Sequence, residues 1–241
     1  GNKYKKGYLG MDLSGTGAGM FFDYITIHET GHEWFGNSIT SKDIADMWIH
    51  EGFTTYTETV FIECVKGYDE AIKYVNGQSR SVRNDRPVIA RFGVNKEGSG
   101  DMYYKGALML NTIRHIINDD AKWWKLLYNY SETYKKQIID TKTVIDYFNK
   151  ESGLDLTSVF NQYLTTTKIP KLVLSKTGNK LSYEWQNVNT DFKMPVDIVI
   201  NEKTIRLHPT TSKQETKIDK KIKLENIQVK TNQFFIKVEK K

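Results

Sequence analysis

The sequence predicts an α+β fold in two parts, a mostly helical stretch over residues 1–169 followed by a small β-sandwich over residues 170–241. Two observations carry this. From Met20 to about Lys168 the apolar residues recur at helical spacing, and from Pro170 onward the period shortens to two. At 241 residues and 39% hydrophobic content, the chain is long enough to bury a sizeable core.

Each element follows from its own stretch. Phe21, Ile25, His28, His32 and Phe35 repeat at i, i+4 and i+7, the rhythm of one helix face. A second apolar-periodic segment opens near Glu51 and runs through Tyr56, Val60 and Cys64. Further helices are expected over 68–82, 103–117, 122–134, 144–148 and 156–163, with Thr141 and Gly153 as start and stop signals. The strand readings fall on 181–185, 196–200 and 234–238, with Gly178-Asn179 as a turn. Gly15-Thr16-Gly17-Ala18-Gly19 lacks the lysine of a phosphate loop and the preceding strand of a dinucleotide site, so it reads as a flexible lead-in.

Charge and cysteine content bound the function. Residues 1–170 carry 20 Lys and Arg against 21 Asp and Glu, whereas residues 171–241 carry 15 against 8. The surplus of +6 therefore belongs to the carboxy-terminal part. Its lysines alternate with apolar residues, as in Lys220-Lys221-Ile222-Lys223-Leu224, which resembles the solvated face of a strand and not a nucleic-acid surface. A single cysteine, Cys64, excludes an internal disulfide and is expected to be buried. No apolar run is long enough to span a membrane.

One motif stands out, His28-Glu29-Thr30-Gly31-His32-Glu33-Trp34-Phe35-Gly36-Asn37. At about 100° per residue, His28 and His32 fall ~40° apart and one turn from each other, so both imidazoles can reach one point beside the helix. Glu29 lies close enough to lean over an ion there without ligating it, which is the place of a general base. A catalytic zinc ordinarily takes three protein ligands, and Glu51 is the candidate for the third. Eighteen residues separate it from His32, and two antiparallel helices joined by the loop 38–43 would bring it back. Glu58 shares the helix face of Glu51 and is a candidate to orient the ligands. His115 and His208 have no ligand-like company.

These residues resemble the zinc aminopeptidases that include aminopeptidase N and leukotriene hydrolase, within the gluzincin group. The resemblance rests on His-Glu-x-x-His, the Trp-Phe-Gly-Asn that follows, and a glutamate after eighteen residues in a Glu-Gly-Phe context. It implies a thermolysin-like catalytic lobe with one zinc ion on His28, His32 and Glu51, and Glu29 as catalytic base. The family carries a tyrosine in a Tyr-x-Lys-Gly context that donates to the oxyanion. Here Asp101-Met102-Tyr103-Tyr104-Lys105-Gly106 assigns that role to Tyr103, with Tyr104 the near miss.

One departure is His50, where the family has asparagine. Another is the absence from residues 1–27 of a Gly-x-Met-Glu-Asn motif, whose glutamate grips the substrate amine. Together with a start at Gly1-Asn2, this reads as a fragment of a longer protein, expected to bind zinc with little aminopeptidase activity. The implied substrates are peptides, and no nucleic-acid partner is expected. A thermolysin-like endopeptidase and a non-catalytic scaffold of the same fold are the alternatives.

Overall fold

The structure, a computed structural model, describes residues 7–241, so Gly1 and Asn2 lie outside it. Seven α-helices come first: α1 (Tyr24–Gly31), α2 (Trp48–Lys66), α3 (Tyr68–Gly77), α4 (Tyr104–Ile117), α5 (Asp120–Thr133), α6 (Thr141–Ser152) and α7 (Thr157–Thr165). Their ends follow local chemistry. Asp23, Asp119 and Asp140 cap α1, α5 and α6 by accepting the backbone N–H of Thr26, Lys122 and Thr143, donors that a helix start leaves without partners. Left-handed Asn118 and Gly153 close α4 and α6.

The first helix is shorter than its apolar stripe. Asp23 starts it after Phe21, and it stops at Gly31, whose carbonyl accepts the N–H groups of both Trp34 and Phe35. The chain then turns through Gly36 at φ +142°, a conformation open to glycine and closed to other residues. Phe21 and Phe35 therefore flank the helix.

The nineteen-residue α2 is the central element and packs against α1, α3 and α4. Its Trp48 and Phe53 join Tyr130 of α5, Phe148 of α6 and Phe160 of α7 in an aromatic core, with Phe53 and Tyr130 stacked at 5.0 Å. Burying each such side chain contributes ~1.5–3 kcal/mol, enough to fix the helix positions cooperatively. A short parallel pair, β1 (Ile39–Ser41) with β2 (Gln137–Ile139), ties the loop before α2 to the loop before α6.

Seven strands follow: β3 (Lys171–Thr177), β4 (Lys180–Gln186), β5 (Val196–Ile200), β6 (Lys203–Leu207), β7 (Gln214–Lys217), β8 (Gln228–Val229) and β9 (Lys237–Lys240). They form one sheet in the order β7-β4-β3-β9 and another in the order β6-β5-β8. Leu172, Leu174, Leu181 and Trp185 of the first share a core with Val196, Ile198, Ile200 and Leu207 of the second. Gly178, at φ +60°, makes the two-residue turn expected between β3 and β4.

Three expectations change. The last strand begins at Lys237 and not at Phe234, because Phe234 is buried in the core and the Phe235 backbone is engaged by Thr112 and Tyr163. The segment 220–224 is a turn leading into a 3-10 helix over Leu224–Asn226, and its lysines are exposed without a strand to carry them. Cys64 is exposed, since the apolar face of α2 passes through Ile62 instead. The glycine-rich lead-in is organised around Asp12, whose carboxylate accepts Ser14 and Gly17 N–H groups. No helix among the described residues is long and apolar enough to cross a membrane.

Candidate metal centre

Helices α1 and α2 lie side by side, with Gly31 of α1 against Thr54 and Thr57 of α2. This close passage brings His28, His32 and Glu51 together, their ligand atoms all within 4.8 Å of one another. Glu51 Oε2 lies 3.4 Å from Nε2 of His28 and 3.4 Å from Nε2 of His32. Two ligand atoms at ~2.0–2.1 Å from a tetrahedral zinc stand about 3.3–3.4 Å apart, so the donor set already has the right spread. Glu51 Oε2 is buried and has no hydrogen-bond partner, an arrangement that costs stability unless a cation completes it.

The far side of each ring is fixed. His28 Nδ1 is 2.7 Å from Glu58 Oε1, and His32 Nδ1 is 3.0 Å from the Phe35 carbonyl. An acceptor oxygen at Nδ1 requires a proton there, which leaves both Nε2 lone pairs directed at Glu51. Glu58 is fully buried and also accepts the Tyr74 hydroxyl at 2.5 Å and Gln78 Nε2 at 3.4 Å. Burial pushes the Glu58 carboxyl upward, and the hydrogen bonds from His28, Tyr74 and Gln78 oppose it. For His28 burial works against the charged form, yet the carboxylates of Glu51 and Glu58 beside the ring outweigh it and raise it to about 9.

The remaining predicted residues surround this cluster. Glu29 is exposed. The Tyr103 ring stacks on His28 at 6.0 Å between centroids. Burial, and then the negative charge of Glu51, push the Tyr103 phenol up to about 12, so it keeps its proton near neutrality. Tyr104 instead feels burial and the charge of Glu58, behind the ligands. His50 accepts the Ser41 backbone N–H through Nε2 at 2.7 Å, tying β1 to the start of α2. Lys105 is buried with its Nζ donating to the Thr166 carbonyl at 2.7 Å, and burial lowers it to about 8. Asp101 accepts the N–H groups of Arg83 and Asn84, which holds the loop entering this turn.

Sequence reasoning missed Tyr74 and Gln78. Both lie on the chain after α2, and no spacing signal connects them to a ligand helix. His115 and His208 stand apart from the cluster, His115 between the Asn111 carbonyl and the Tyr68 hydroxyl.

Residues 22–163, more than half of the chain, match the peptidase family M1 domain. The chain belongs to peptidase family M1. Among M1 relatives, it is 24% identical over 232 residues to probable aminopeptidase 2 of Sulfurisphaera tokodaii, covering 88% of this chain and 29% of that protein. To aminopeptidase B of Rattus norvegicus it is 25% identical over 168 residues, 61% of this chain and 26% of that one. The chain thus spans less than a third of the length of these relatives.

The fold also resembles Legionella pneumophila aminopeptidase A in complex with aspartic acid, with TM-score 0.67, 14% identity and coverage of 88% of this chain and 26% of that one. A mutant M1 zinc metallopeptidase of Deinococcus radiodurans bound to a Tyr-Ser-Ala substrate aligns with TM-score 0.53 and 25% identity, over 61% of this chain and 33% of that one.

Proposed function

We propose that this M1 chain is the metal-binding part of a zinc aminopeptidase, with one zinc ion on His28, His32 and Glu51. The observation that carries the reading is the buried, unpartnered Glu51 Oε2, equidistant from two imidazole nitrogens whose opposite nitrogens are already committed. Bound there, zinc supplies a Lewis acid that acidifies water and polarises a carbonyl. Glu29, one residue beyond His28 and exposed, takes the proton of the attacking water and passes it to the leaving amine. Tyr103, protonated and stacked beside His28, donates to the carbonyl oxygen as it gains negative charge. Peptides are the substrates. The helices ending at Thr165 and the strands beginning at Lys171 support a division into a catalytic domain, 1–169, and a β-sandwich domain, 170–241.

Metal analysis and turnover of two variants test this. Glu51→Ala should abolish stoichiometric zinc, whereas Glu29→Gln should keep the metal and lose hydrolysis of an aminoacyl anilide, because the amide preserves shape but cannot take a proton. Undiminished zinc in Glu51→Ala, or undiminished turnover in Glu29→Gln, would remove the basis of the reading.

A further inference from the structure

The tyrosine turn and the third-ligand helix meet at two glycines. A Cβ built on Gly106 would stand 2.8 Å from Gly52 Cα, and one built on Gly52 would stand 3.2 Å from the Met102 carbonyl oxygen and 3.3 Å from Gly106 Cα. Neither glycine has a left-handed backbone, so the lack of a side chain serves closeness alone. Both are buried in the packing of α2 on α4. Gly52 directly follows Glu51, and Gly106 lies three residues after Tyr103, which caps the start of α4.

We propose that Gly52 and Gly106 are positioning residues whose backbone contact sets the reach of Tyr103 to the metal centre. The inference rests on the reading of Tyr103 as the oxyanion donor. The atoms a new methyl group would meet are backbone atoms of a packed helix, which cannot swing aside as a flexible side chain would. An alanine at position 106 must therefore lever the start of α4 away from α2. The proposed ligands lie on α1 (His28), just past its end (His32) and on α2 (Glu51), and none lies on α4, so displacing the start of α4 leaves them in place. Lys105, beside Gly106, is itself tied down by its bond to the Thr166 carbonyl. Displacement of a reacting group by about 1 Å can cost on the order of a hundredfold in rate.

The test is a double-mutant cycle in the full-length protein, with zinc content, melting temperature, and kcat and KM on an aminoacyl anilide measured for each variant. Tyr103→Phe alone comes first. If its kcat is unchanged, the assignment of Tyr103 falls, and this inference falls with it before any glycine is altered. Given a damaged Tyr103→Phe, Gly106→Ala should lower kcat by about 10- to 100-fold with KM and zinc content held.

The combination of Tyr103→Phe with Gly106→Ala should then be no slower than Tyr103→Phe. Gly52→Ala, whose contacts are several tenths of an ångström longer, should follow the same pattern with a drop of a few-fold, and it serves where Gly106→Ala fails to fold. Overpacking should lower the melting temperature of either glycine variant, so rates are compared at a temperature where each is folded. Equal losses from the glycine substitution with and without the Tyr103 hydroxyl would overturn the proposal. So would an effect confined to KM or to zinc content.

Discussion

Glu58 illustrates how one side chain can govern a site it does not enter. Its Oε1 takes the His28 Nδ1 proton, and its Oε2 takes those of Tyr74 and Gln78, so a fully buried carboxylate is satisfied on both oxygens. Glu58→Ala would free the His28 ring and strand the Tyr74 hydroxyl. Zinc affinity, measured by competition with a chelator, should fall about 10- to 100-fold, the usual effect of removing such an orienting partner. An unchanged affinity would mean that packing alone orients His28. Much of the cluster was legible at this scale, since helix periodicity relates His28 to His32 and Glu51 to Glu58, and a helix hairpin was expected to join the two pairs. Tyr74 and Gln78 were not, because they reach Glu58 across a helix–helix interface, where only three-dimensional packing sets the distances.

Among the elements, α4 joins the two parts of the chain. Its amino-terminal end carries the tyrosine turn, and its carboxy-terminal carbonyls, those of His115 and Ile116, accept Arg206 of β6 at 2.7 and 3.0 Å. The same guanidinium pairs with Asp197 of β5, which is buried. Arg206→Ala would leave the Asp197 charge without its partner and the helix end without its cap. A loss of about 3–5 kcal/mol is expected, read from urea denaturation. A loss below about 1 kcal/mol would mark the pair as no better than a surface ion pair. None of this junction was legible in advance, for Arg206 reads as one more cation in a basic stretch. The helices were, because their apolar faces repeat at helical spacing, whereas the last strand was misplaced where Phe234 and Phe235 serve as loop anchors.

For the molecule as a whole, His115 couples stability to pH. It is buried between the Asn111 carbonyl and the Tyr68 hydroxyl, and burial lowers it to about 4 from an ordinary value near 6.5. Between these values the unfolded chain binds a proton that the folded chain refuses. Stability from this group is therefore fully present above about 6.5 and falls as pH drops toward 4, by about 3 kcal/mol in total. Urea midpoints of the native protein and His115→Gln, compared at pH 7 and pH 4, should show the smaller acid loss in the variant. Equal losses would assign the acid sensitivity to carboxylates.

The side-by-side passage of α1 and α2 has a consequence for local opening. Helix α1 is only eight residues long, below the ~12–15 at which an isolated helix holds in water, and two of the three proposed metal ligands are on it or at its end. Whatever occupies the centre therefore staples a weak helix to a strong one. At a free zinc concentration of 100 times Kd, that linkage is worth about 2.7 kcal/mol to states that keep the centre closed. Amide hydrogen exchange should slow by about a hundredfold across α1 as zinc is titrated, while the amides of α4, whose side chains ligate nothing, keep their rates. The first helix would then act as a gauge of metal supply, opening to solvent and to proteolysis when zinc is scarce, with the rest of the fold unmoved.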